Sequence, residues 1–137
     1  MHSHDHAAAD LTKNQTLVLQ ALSSAEGPLS AYSILDKLRD DGFRAPLQVY
    51  RALDKLMEIG MVHRLESLNA FVACQHPDCE THKNMAFTIC ESCGQVDEVN
   101  DAKLSRQLKS IADQTDFALT KSTVELRGVC NDCANQH

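Results

Sequence analysis

Long apolar runs are missing from this chain of 137 residues. The longest, "AFVAC" at residues 70–74, is strand-sized, far short of the ~20 residues that span a bilayer. The opening "MHSHDHAAAD" has neither the basic nor the apolar region of a secretory signal. A cytoplasmic protein with no membrane partner is therefore expected. In a reducing compartment its six cysteines are better explained by metal than by disulfides.

Positive charge is also scarce, with a formal net charge of −6. Its distribution is uneven. Residues 11–65 hold seven Lys/Arg against six Asp/Glu, whereas residues 66–137 hold six against eleven. The acid sits mainly in the second half, so charge permits the first half to meet DNA phosphates without arguing for it.

Three amphipathic helices are predicted in the first half. "LTKNQTLVLQALSS" opens with Thr12 and Gln15 at capping-box spacing and carries a stripe of Leu17, Val18, Ala21 and Leu22. "EGP" at residues 26–28 breaks the chain. "LSAYSILDKLRDDG" follows, with Ser30 as N-cap, Ala31, Ile34, Leu35 and Leu38 inward, and Gly42 as the stop. "APLQVYRALDKLMEIG" has Pro46 at the first helical position and Gly60 at the end. Val49, Leu53, Leu56 and Met57 form its inner face. Gln48, Arg51 and Lys55 line its outer face at i, i+3 and i+7, residue types that can contact base edges and phosphates. A solvated helix face has the same composition. The next run, "MVHRLESLNAFVACQ", reads as a hairpin, and three helices followed by a hairpin are the parts of a winged helix-turn-helix. That context favours DNA reading for the outer face.

Cys90-x-x-Cys93-Gly94 and Cys130-x-x-Cys133 are two knuckles with 36 residues between them. Two such turns complete a four-thiolate shell, usually filled by zinc. Thioredoxin-like redox chemistry would need one such pair at a helix N-terminus. "DAKLSRQLKSIADQ" between them predicts a helix with Leu104, Leu108, Ile111 and Ala112 on one face, and "FALTKSTVELRGV" supplies strand.

Two more cysteines and two histidines fall within "CQHPDCETHKN", residues 74–84. If the hairpin turns on Leu68-Asn69 alone, His63 lies opposite Cys74, close enough to share an ion. His82 and Glu98 would complete a set that bridges the two halves. Two His, one Cys and one Glu suit a tetrahedral zinc better than ions preferring more oxygen and nitrogen ligands. Taken singly, His63 reads as a strand residue, Cys74 as core and Glu98 as a surface carboxylate. His76 and Cys79 read as spare loop residues or substitutes. His2, His4 and His6 form an alternating tail that could bind metal weakly.

The segments "PLQVYRALDKLMEIGMVHRLES", "FVAC", "CETHKN", "CESCG" and "CNDC" resemble, in order, the ferric uptake regulator family, and within it the zinc uptake regulator branch. The resemblance runs from about Thr12 to Cys133. It implies an α+β chain: an N-terminal winged helix-turn-helix at 11–74, a hinge at 75–84 and a C-terminal α/β dimerisation and metal-binding domain at 85–137. It implies a structural zinc on Cys90, Cys93, Cys130 and Cys133, and a regulatory zinc on His63, Cys74, His82 and Glu98, two Zn²⁺ per chain. DNA-reading positions fall on Tyr32 and Arg51, with Tyr50 beside the latter. The His-rich run of iron-sensing members is absent, and "KNMAFTIC" stands in its place.

The expected function is a zinc-responsive repressor of zinc-uptake genes, binding double-stranded operator DNA as a homodimer. The rival within the family is a sensor of iron, manganese or peroxide. A zinc hydrolase would use Glu98 as general base and need an open coordination position and a substrate pocket, of which the sequence carries no signal. A zinc store would need no reading helix.

Overall fold

A computed structural model describes residues 11–74 and 84–135. The chain divides into two compact units, Met1–Pro77 and Asp78–His137. Among the described residues no helix is long and apolar enough to cross a membrane.

The first unit holds α1 (Lys13–Ser23), α2 (Ala31–Lys37), a 3₁₀ turn (Arg39–Asp41), α3 (Pro46–Glu58), β1 (Val62–Leu65) and β2 (Ala70–Ala73). Local chemistry sets the helix ends. Thr12 accepts from Gln15 N at 3.1 Å while the Gln15 side chain accepts from Thr12 N at 3.0 Å, a reciprocal capping box. Ser30 caps α2 by accepting from Ser33 N. Gly60, at φ 81°, closes α3: its N–H reaches Met57 O and that of Met61 reaches Leu56 O at 2.9 Å. That pair of bonds is a Schellman motif, which needs the left-handed conformation glycine adopts freely.

One core joins these elements. Val18 and Leu22 of α1, Ile34 and Leu35 of α2, Val49, Leu53 and Leu56 of α3, and Phe43, Val62 and Phe71 are all buried. On α3 the buried set is Val49, Ala52, Leu53 and Leu56, while Met57 is half-buried against the core. Leu29, before α2, bonds Phe71 in both directions (3.0 and 2.8 Å) and ties the hairpin to the helices.

The hairpin register differs from the expectation of a two-residue turn. Val62 pairs with Ala73, His63 with Val72, Arg64 with Phe71 and Leu65 with Ala70. His63 therefore faces Val72, and Cys74 continues the ladder opposite Met61, donating to its carbonyl at 2.8 Å. The cause is the turn. Glu66–Asn69 form a four-residue connection in which Leu68 N reaches Leu65 O and Asn69 N reaches Glu66 O, with Asn69 at φ 48°. Asparagine tolerates that left-handed position. A shift of two residues preserves the pleat, so His63 and Cys74 still share one face of the hairpin.

The second unit is a three-stranded sheet in the order β4-β3-β5, built from β3 (Asn84–Cys90), β4 (Val96–Val99) and β5 (Ser122–Gly128). β3 runs antiparallel to β4 and parallel to β5, and α4 (Ala102–Gln114) makes the crossover that a parallel pair requires. Asp101 caps α4 by accepting from Lys103 N at 2.8 Å and Leu104 N at 3.3 Å. A short helix, α5 (Asn131–Ala134), ends the described chain. Met85, Ala86, Phe87 and Ile89 are buried on both faces of β3, the central strand. On α4, Ala112 is buried, Leu104 and Leu108 are half-buried, and Ile111 is 49% exposed. Of the expected hinge, residues 75–83 lie outside the described residues, and Asn84 opens β3.

Leu53 is fully buried within the first unit's core. Leu53→Ala should destabilise that unit by about 2–5 kcal/mol, measured from its denaturant midpoint.

Candidate functional site

The sheet assembles the first cluster. Parallel pairing sets Cys90, the last residue of β3, beside Gly128, the last of β5. Glu91 N then bonds Gly128 O at 2.7 Å, locking the two strand ends together. Beyond Cys90 the chain folds back: Gly94, at φ 80°, donates to Cys90 O, and Cys90 N donates to Gln95 O, both at 2.9 Å. This knuckle turns Cys93 towards Cys90. Two residues past Gly128, Cys130 occupies the N-cap position of α5 without a side-chain capping bond, and Cys133 lies within that helix.

The four sulfurs all lie within 4.8 Å of one another, with Cys93 and Cys130 Sγ 3.8 Å apart. Sulfurs held ~2.3 Å from a tetrahedral zinc lie ~3.8 Å from each other, so the donor set fits such an ion. The backbone N–H groups of Cys130 and Cys93 point at Cys90 Sγ from 3.3 and 3.4 Å. Those bonds favour its thiolate and outweigh burial, lowering the Cys90 thiol to about 6. Around it the neighbouring sulfurs of Cys130, Cys90 and Cys93 push Cys133 up to about 12. Cys93 receives a thiolate-favouring bond from the Gln95 backbone, but the Cys90 sulfur and burial raise it on balance. The Cys90 sulfur thus disfavours ionisation of Cys93 and Cys133 until a cation compensates them.

In the first unit, His63 is a buried polar residue (7% exposed) and Cys74 is half-buried, with ligand atoms within 4.8 Å of each other. They meet diagonally across the hairpin rather than as a directly opposed pair. In the second unit, Glu98 is half-buried on β4, opposite Phe87. His82, His76, Cys79 and the tail histidines His2, His4 and His6 lie outside the described residues.

The outer side of α3 is the other candidate surface. Arg51 and Lys55 are exposed, and Lys55 makes a 3.6 Å ion pair with Glu58, of the kind worth little at a surface. Tyr50 is 38% exposed, and Tyr32 on α2 is 63% exposed. Gln48 is engaged differently from the expectation of an outward base reader. Its Oε1 accepts from Arg44 N at 2.7 Å and Ala45 N at 3.0 Å, capping α3 where Ala45 has no side-chain acceptor. Leu47, not singled out by polar spacing, is 57% exposed on the first turn. Its position three and four residues before Tyr50 and Arg51 was the available signal.

Three helices closed by a two-stranded wing, followed by an α/β unit with four convergent thiols, define a winged helix-turn-helix chain with a metal-competent second unit. Residues 7–127 match the ferric uptake regulator family, and the chain belongs to that family. It is 40% identical over 124 residues to the zinc uptake regulation protein of Escherichia coli (strain K12), covering 90% of this chain and 72% of that protein. The crystal structure of holo XcZur is 41% identical with a TM-score of 0.83, over 91% of this chain and 86% of that one. A zinc uptake regulator solved in complex with zinc and DNA is 32% identical with a TM-score of 0.87, over 99% and 98%.

Binding of a divalent ion by the four sulfurs requires thiolates, so protons held on Cys93 and Cys133 must leave at neutral pH. Zinc uptake by metal-free protein at pH 7.5 should release protons, detectable with an indicator in weak buffer. Affinity should fall with falling pH, most steeply below about 6, where Cys90 also takes up its proton. Uptake without proton release would contradict the four-thiol assignment.

Proposed function

We propose that the protein is a cytoplasmic, zinc-responsive transcriptional repressor, a regulator rather than an enzyme, that binds the operator DNA of zinc-uptake genes as a zinc-loaded homodimer. The observation that carries this reading is the combination, in one chain, of an exposed reading helix and a four-sulfur cluster. The likeness to a zinc uptake regulator solved with zinc and DNA supports it over 99% of the chain.

Residues 11–74 form the DNA-binding domain, 75–84 the hinge and 85–137 the dimerisation and metal-binding domain. The structural zinc belongs to Cys90, Cys93, Cys130 and Cys133. The regulatory zinc belongs to His63, Cys74, His82 and Glu98, giving two ions per chain. That second set has two neutral nitrogens, one thiolate and one carboxylate, which balance a divalent charge. Bound there, zinc supplies a link between ligands of both units, and so couples operator affinity to free zinc.

On the DNA side, exposed Arg51 is assigned a bidentate guanine contact, with its neighbour Tyr50 and Tyr32 of α2 as further DNA-reading positions and Lys55 towards phosphate. Gln48 keeps only its NH₂ for DNA, because its oxygen is committed to the helix cap. Dimerisation is supported by the second unit's surface. Ile111, Phe117, Leu126 and Val129 are each about half exposed or more, and β5 is an edge strand. Sheet edges and exposed large apolar side chains are both commonly covered by a partner.

Operator binding titrated against buffered free zinc tests the reading, with iron and manganese run in parallel. Binding should rise with zinc as a second ion loads. Cys74→Ser should leave a folded dimer that retains about one zinc per chain and no longer recovers operator binding at low free zinc. Binding that ignores zinc, or answers to iron or manganese instead, would sink the proposal. In a separate comparison, Arg51→Ala should lose about 1–3 kcal/mol of operator preference, with zinc content unchanged. Equal losses on operator and unrelated DNA would place Arg51 on phosphate.

A further inference from the structure

Leu47 occupies the first turn of α3 and is 57% exposed, while the core below that turn is served by Val49, Ala52 and Leu53. The core therefore does not account for an apolar side chain at position 47. Three residues on stands Tyr50, and four residues on stands Arg51, so the three side chains share one side of the helix. Between them in sequence, Gln48 has its oxygen occupied by the Arg44 and Ala45 backbone N–H groups at 2.7 and 3.0 Å. A bidentate adenine contact needs that oxygen as acceptor together with the amide N–H, so Gln48 cannot make one without uncapping α3. The first two turns of the face are left with one cation, Arg51, one aromatic, Tyr50, and one aliphatic side chain, Leu47, with Lys55 one turn further on.

We infer that Leu47 is a specificity-determining residue that reads the 5-methyl group of a thymine beside the base pair contacted by Arg51. The inference rests on the operator-binding reading above. Residues at the N-terminal end of a recognition helix are those that approach base edges. The thymine methyl is the apolar group that the major groove displays, and an aliphatic side chain is its natural contact. A protein partner covering Leu47 would have to cover the Arg51 guanidinium and supply it with acceptors. Guanine N7 and O6 supply those acceptors next to the methyl-bearing bases. Removing one methyl group's surface from water corresponds to a factor of about four in binding.

The zinc-loaded full-length protein first selects duplexes from a randomised pool. Each thymine of the selected duplex is then replaced in turn by deoxyuridine, which removes the methyl and keeps the pairing. At one position per half-site the wild type should weaken about fourfold. Leu47→Ala, with unchanged helix content and zinc stoichiometry, should bind the thymine and uracil duplexes equally at that position. Leu47→Gln, of similar length, should also lose the distinction, and Leu47→Met should keep it. Equal sensitivity to methyl removal in the wild type and in both the Ala and Gln variants overturns the inference while leaving the repressor reading intact. Failure of the wild type to select any duplex at any zinc concentration overturns the repressor reading and this inference together.

Discussion

Parallel pairing of β3 with β5 is the constraint on which the second unit depends. It brings Cys90 beside Gly128, and from that junction both knuckles turn inward to place four sulfurs within 4.8 Å. The unit buries few large side chains among the described residues: Met85, Phe87 and Ile89 on β3, with the smaller Ala86, Cys90 and Ala112. A small apolar core supplies little net stability, and a metal cross-link between two segments far apart in sequence is how such units commonly make up the difference. The same sulfurs resist joint ionisation, as the raised Cys133 and Cys93 thiols show, so strand pairing and cation binding support each other.

The first unit is held differently. Its core is contiguous, drawing on three helices, the hairpin and the segment before α2, and is built from hydrophobic side chains. Among the described residues, its candidate metal ligands lie at the wing, where His63 and Cys74 share a face of the hairpin at its end nearest the second unit in sequence. This pair lies at the end of the described part of the unit, where its folded hairpin ends.

Charge follows the same division. The near-balanced first half leaves Arg51 and Lys55 on an exposed face, while the acidic half carries the sheet. A chain of net charge −6 can therefore present a DNA-competent surface locally, because exposed charges beyond about 8–10 Å are screened at physiological salt.

Helix positions and the grouping of cysteines were determined by the sequence alone, because both rest on short-range spacing. Thr12 with Gln15, Ser30, Pro46 and Gly60 mark helix ends through bonds made within a few residues, and each Cys-x-x-Cys pair is one turn. Tertiary structure decided the rest. Whether the hairpin turns on two residues or four depends on how Leu65, Glu66 and Asn69 close it, and that choice moved His63 from opposite Cys74 to opposite Val72. Gln48 reads as an outward polar residue by periodicity. The path of the chain at Arg44 and Ala45 brought two backbone donors to its oxygen and made it a cap, leaving Leu47 beside Tyr50 and Arg51 on the outer face. The union of the two cysteine pairs was expected from their residue types, but the pairing of β3 with β5 across an intervening strand and helix, which brings it about, was not. Spacing within each pair carries no record of that non-local contact, because it is made by backbone hydrogen bonds common to every residue type.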